Sequence, residues 1–232
     1  MNTLNLSIRV FKATDDLIAC ENYINQHIRV LASYGITKLS SANTQWKNDP
    51  NCYIILFESE NKTKIYGGGR IQIKSEHFNL PIEEAVSVVD KNIHSYVKRI
   101  GNYKVAEFCG LWNSREVAGY GIGSIILGRI GVAIASQLNL KHLMALCSPA
   151  TLLNCTRIGF EVIYELGNNG TFYYPKEGLI ATALIIKNID LLEKANPNER
   201  NLIYSLREKP IQNSVEAGPK GTMIIDYNIR IS

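Results

Sequence analysis

The sequence predicts an α/β fold, and three observations predict it. Strand-like and helix-like segments alternate along the whole chain. Two of the strands, "CYIILFESE" and "KIYGGGRIQI", are separated only by a turn at Glu60-Asn61-Lys62 and read as a hairpin. A glycine-rich turn, Gly119-Tyr120-Gly121-Ile122-Gly123-Ser124, joins a buried-type strand to a long apolar helix.

Taken in order, "LSIRVF" alternates as a strand, and Thr14-Asp15-Asp16 supplies an N-cap for a helix running to about Ser33. The linker 35–51 leads into the hairpin, whose second strand carries Gly67, Gly68 and Gly69, the mark of a bulge or a close backbone approach. "LPIEEAVSVVDKNIHSYVKRI" reads as one helix with proline in its first turn, and "YKVAEFCGLW" as a buried strand. After the glycine turn an apolar helix is expected to about Leu138, then the strand "LKHLMALC" and a helix with Ser148 as N-cap and Pro149 at N1, ending at Gly159. "FEVIYEL" and "LIATALIIK" read as strands. A polar helix "NERNLIYSLREK", the turn "EAGPKG" and a strand "TMIIDYNIRI" finish the chain.

At 232 residues, 46% hydrophobic and 20% charged, the chain fits one globular domain that can bury a full core. A net charge of +4 spread along the chain gives no nucleic-acid footprint. The N-terminus lacks an apolar core of signal length, and Arg129 interrupts the longest apolar stretch, so a cytoplasmic protein without a membrane span is expected. The cysteines at 20, 52, 109, 147 and 155 show no C-x-x-C spacing, and the histidines do not cluster. Buried free thiols and no metal are expected.

The glycine turn is the most informative segment. The first amides of a helix have no intrahelical partner and sit at the positive end of its dipole, so alternating glycines at its entry can cradle a phosphate. A dinucleotide is one reading of GYGIGS, but that motif belongs in the first strand–helix unit of its domain, and here a hundred residues with a hairpin precede it.

The order strand, helix, hairpin, strand, glycine turn, helix, strand, short helix, "RIGFEVI", together with "CGLWNSREVAGYGIGSIILGRI", resembles the GNAT superfamily of N-acetyltransferases over residues 5–187. The resemblance implies a central, mostly antiparallel twisted sheet whose fourth and fifth strands splay apart, with a C-terminal extension over 188–232. It implies acetyl-CoA or another acyl-CoA as co-substrate. Leu111, Trp112 and Asn113 would face the pantetheine and thioester, and the amides of Gly119, Tyr120, Gly121, Ile122, Gly123 and Ser124 would hold the pyrophosphate. It also implies a small-molecule amine acceptor. The insert "SEHFNLPIEEAVSVVDKNIHSYVKRI" and the extension resemble elaborations of relatives that use longer acyl groups, acyl-homoserine lactone and N-acyl amino acid synthases, which leaves acyl carrier protein open as donor. A homodimer also stays open.

Two positions depart from the family pattern. Ala118 stands where a basic residue usually does, with Arg115 the nearest substitute, and Cys155 stands where a tyrosine often protonates the departing thiolate. Tyr164, Tyr173 and Tyr174 are alternative acids. Glu107 is the candidate general base: it interrupts the apolar strand "KVAEFCGLW", and period-two geometry sets it on the face of Cys109, Leu111 and Asn113. The alternative is a structural ion pair with Arg70 or Arg157. Direct attack of the amine on the thioester is the family's usual chemistry, with an acyl-Cys109 intermediate as the less favoured route. A degenerate, non-catalytic acyl-CoA sensor is the remaining class.

Overall fold

The computed structural model describes residues 3–36, 44–101, 104–120 and 122–231. Gly121 and the middle of the first linker, 37–43, therefore lie outside the described residues. Strand β1 (Thr3–Lys12) leads to helix α1 (Leu17–Ser33), capped by the Asp16 carboxylate, which accepts the Ala19 amide at 3.0 Å. Strands β2 (Cys52–Ser59) and β3 (Ile65–Ile73) form the expected hairpin. Its glycines serve close approach: a Cβ on Gly68 would lie 2.4 Å from the Ile55 carbonyl oxygen.

The single helix expected over 80–100 is two, α2 (Pro81–Val86) and α3 (Asn92–Ile100). Asp90 is the reason. One of its oxygens accepts the Asn92 amide and the other the Gly167 amide, so its side chain competes with helical bonding and starts a new helix instead. Val88 and Val89, exposed in the break, have no buried face to hold a helix there.

Strand β4 (Val105–Asn113) is followed by a 3-10 turn (Arg115–Val117), a wide π-type turn (Ile122–Ile126) and helix α4 (Leu127–Gln137). Then come β5 (His142–Cys147) and α5 (Pro149–Arg157), where Ser148 occupies the N-cap without bonding a helix amide through its side chain. Only Glu161–Val162 of "FEVIYEL" pairs, as β6, because the chain turns back at Leu166 and Gly170 to add an unexpected strand, β7 (Thr171–Tyr173). Strand β8 (Ile180–Ile186) and helix α6 (Pro197–Glu208) follow, then β9 (Ile211–Gly218) and β10 (Gly221–Asn228). The sequence hid β9, whose residues "IQNSVEAG" carry no alternating apolar set and which forms an edge.

All ten strands join one sheet in the order β6-β8-β5-β4-β3-β2-β1-β10-β9, with β7 also on β8. Among the described strands only β4–β5 and β1–β10 pair parallel. Helices α4 and α6 cover one face, and α1, α2 and α3 pack on the other. The C-terminal segment is part of this sheet. Met223, Ile225 and Tyr227 of β10 enter the same core as Leu6 and Ile8 of β1, and Glu199 of α6 ties down Arg129 of α4 at 2.6 Å and Arg157 of α5 at 3.2 Å. Among the described residues no helix is long and apolar enough to cross a membrane.

Candidate acyl-transfer site

The site is made by two strands parting. β4 pairs with β5 only where Val105, Ala106 and Glu107 meet His142, Leu143 and Met144; beyond Glu107, β4 has no ladder with β5, while the rest of β5 pairs with β8. The splay leaves backbone donors and acceptors of β4 available to an extended ligand.

A bulge sharpens the divergence. Cys109 lies opposite Arg70 and Trp112 opposite Gly68, so two residues of β4, Gly110 and Leu111, face one of β3, and Gly110 takes a φ of +61°. This corrects the face expected for Glu107. Alternation flips at the bulge: Cys109 meets Arg70 on the α1 side and Trp112 packs there too, whereas Phe108 and Leu111 join the core beneath α4. Tyr23 of α1 fastens the bulge by donating its hydroxyl to the Gly110 carbonyl at 2.6 Å.

A cavity of about 380 Å³ passes through the splay, from His27 of α1 and Ala85 of α2 to Leu127 of α4 and Ile158 just after α5. Its size is in the range of small-molecule sites. Of the expected site residues, Glu107, Leu111, Trp112, Asn113, Gly123 and Cys155 line it. Arg115, Gly119, Tyr120 and Ile122 are not on its wall, and the Ile122 side chain is fully in the core.

Glu107 is buried, and one oxygen accepts the Ile82 amide at 2.6 Å. Burial pushes its carboxyl up to about 8 despite that bond. Neither arginine forms an ion pair with it: Arg157 is taken by Glu199, and Arg70 donates Nε to the Cys109 sulfur at 3.3 Å. Cys109, pushed up to about 11 by burial, is a neutral thiol at neutral pH, which disfavours an acyl-cysteine. Cys155 is hydrogen-bonded to Cys147, and that bond together with burial raises its thiol. Among the tyrosines, Tyr174 lines the cavity, whereas Tyr164 and Tyr173 are 71% and 68% exposed. All five cysteines are free.

The glycine turn is half covered. The Gly119 carbonyl accepts the Lys220 amide at 3.0 Å, and a Cβ on Gly119 would come within 2.9 Å of the Lys220 side chain. Gly218 presses on the Tyr120 carbonyl, where a Cβ would lie at 2.3 Å. The β9–β10 turn thus packs against Gly119 and Tyr120, while at Gly123 a Cβ would meet nothing within 4 Å. Sequence reasoning missed Lys220, because the turn that brings it here lies a hundred residues downstream.

Strand order, splay and bulge together are the fold of the GNAT-type N-acyltransferases. FeeM, an N-acyl amino acid synthase from uncultured soil microbes, superposes with a TM-score of 0.61 at 14% identity, over 84% of this chain and 97% of its own. BjaI, a CoA-dependent acyl-homoserine lactone synthase solved with SAM and isopentyl-CoA, gives 0.57 at 8% identity, over 98% of this chain and 93% of its own. A second CoA-dependent acyl-homoserine lactone synthase, MesI, gives 0.51 at 10% identity over 87% and 95%. No protein-family model and no curated protein matches the sequence.

Proposed function

We propose that this protein transfers an acyl chain longer than acetyl from acyl-CoA to a primary amine. The observation that carries the reading is the cavity through the splay, whose walls on the α4 and α5 side are Phe108, Leu127, Ile158 and Phe160, far more apolar room than a two-carbon group fills. The pantetheine would lie as an added strand along the free edge of β4, with its thioester near Leu111, Trp112 and Asn113. The pyrophosphate would reach the amides at Gly123 and Ser124, with Lys220 and Arg115 as nearby cations.

Chemistry then needs one bond made and one broken. Glu107 takes a proton from the acceptor's ammonium, directly or through water, and the amine nitrogen attacks the thioester carbonyl carbon. Amides freed by the splay steady the oxyanion. As the C–S bond breaks, the CoA sulfur takes a proton from the Tyr174 hydroxyl on the cavity wall, the second proton shed by the attacking nitrogen restores that hydroxyl, and Glu107 releases its proton to solvent; Cys155, its thiol raised by Cys147 and burial, is the weaker acid. The products are the N-acyl amide and CoA. Acyl carrier protein as donor is the neighbouring reading; the cations beside the glycine turn support CoA.

The test measures free-thiol release from octanoyl-CoA and acetyl-CoA with a panel of amines. Octanoyl-CoA is expected to give the higher kcat/KM. Preference for acetyl-CoA would overturn the chain-length reading, and binding of acyl-CoA without turnover across the panel would make the protein a sensor.

A further inference from the structure

Arg70 is a buried cation that the protein itself leaves unneutralised. It is 2% exposed, its guanidinium lies 4.0 Å over the Trp46 ring, and Nε donates to the Cys109 sulfur. Among the described residues no carboxylate forms an ion pair with it, and the Nε–sulfur contact is the one hydrogen bond its guanidinium makes. Two further donors in the same cluster are orphaned. The indole N–H groups of Trp46 and Trp112 are buried without an acceptor, and the two rings flank Tyr23 at 6.2 and 6.4 Å. Glu107 does not supply the missing charge, since burial keeps its carboxyl neutral over much of the physiological range. Buried donors without acceptors are costly, so a cluster of them marks a place where a ligand brings the acceptor.

The cluster backs onto the cavity: Arg70 and Trp46 stand behind Cys109 and Trp112, which are on its wall. Cys109, which Arg70 touches, lines the cavity with Trp112, His27 and Glu107. Arg70 and Cys109 are cross-strand partners, and Glu107 lies one alternation further along β4, before the bulge and on the same face. A guanidinium with its two terminal nitrogens free fits a planar carboxylate in bidentate fashion.

We propose that Arg70 is the carboxylate anchor of the acceptor, and that the acceptor is an α-amino acid whose amine it presents toward Glu107. This rests on the acyl-transfer reading above for the fate of the amine, but the carboxylate site can be measured without it. Arg70 acts here as a specificity-determining residue. It holds the substrate and does not take part in bond making.

The experiment uses the full-length protein with octanoyl-CoA and compares each primary-amine amino acid with its own carboxamide, following CoA release and product mass. The same acids and amides are also tested alone, for thermal stabilisation of the protein. At least one acid is expected to exceed its amide by about 100-fold in kcat/KM, and only the acid should raise the Tm. Arg70→Gln should bring the acid-to-amide ratio close to one, chiefly through KM, and Arg70→Lys should restore part of it. Amides that serve as well as acids overturn the proposal, as does a ratio that both variants leave intact. Should Arg70→Gln fail to fold, the wild-type ratio and Arg70→Lys decide. If no pair releases CoA, the acyl-transfer reading fails, and the thermal measurement alone decides the site: acid-selective, Arg70-dependent stabilisation upholds it and its absence overturns it.

Discussion

Glu107 shows how one side chain carries opposite demands. Burial holds its carboxyl near 8, so as a base it gains activity as pH rises: kcat/KM should climb to a plateau above about pH 8. Glu107→Gln should remove that inflection and lower kcat by about 100-fold, read from thiol release across a pH series. Stability runs the other way. Folding raises this group from 4.5 to about 8, so its contribution is full below about pH 4.5 and is lost as pH rises through 8. The wild-type Tm should therefore fall over that interval relative to Glu107→Gln, whose amide oxygen can still accept the Ile82 N–H. The leaving-group acid is tested by a pair of variants. Tyr174→Phe should cost about 10- to 100-fold in kcat and Cys155→Ala little, and the reverse would give the role to Cys155. Glu107 was legible in the sequence because a carboxylate in an apolar strand needs a reason. Arg70 was equally visible, but that nothing neutralises it depends on which side chains the fold brings near.

The elements show where local pattern suffices and where it does not. Asp16 as a helix cap, the β2–β3 hairpin and the proline at the start of α2 were all readable, since each rests on residues within a few positions of one another. The break between α2 and α3 was not, because Asp90 divides its carboxylate between Asn92 and Gly167, and the second partner is remote. The bulge in β4 is the element with most consequence for the site. Gly110→Ala would force a side chain into a left-handed conformation, with its Cβ 2.4 Å from the Tyr23 hydroxyl. We expect a loss of about 1–3 kcal/mol in urea unfolding, together with weakened acyl-CoA binding as the splay relaxes.

At the scale of the whole molecule, the C-terminal segment is more than an appendage. It contributes two strands beside β1, a buried carboxylate between α4 and α5, and the turn that covers the front of the glycine loop. Lys220, exposed on that turn, tests whether the extension shares in donor binding. Lys220→Ala should raise the KM for octanoyl-CoA about threefold to tenfold with kcat and Tm unchanged, the loss growing smaller at high salt as expected of a surface charge. An unchanged KM would leave the pyrophosphate to backbone amides alone.

By itself the sequence determined the fold class, the splayed pair of strands by resemblance, the glycine turn and a carboxylate in the strand before it. Period, caps and turn residues act over a few positions, so they survive in the linear order. Only the tertiary structure decided that the bulge at Gly110 turns Leu111 away from Glu107, that β10 completes the sheet against β1, that Lys220 lies over Gly119, and that Arg70 has no carboxylate in an ion pair with it. Each of these depends on register and burial between segments far apart in the chain, where the free energy lies in which surfaces meet and not in what any one segment prefers.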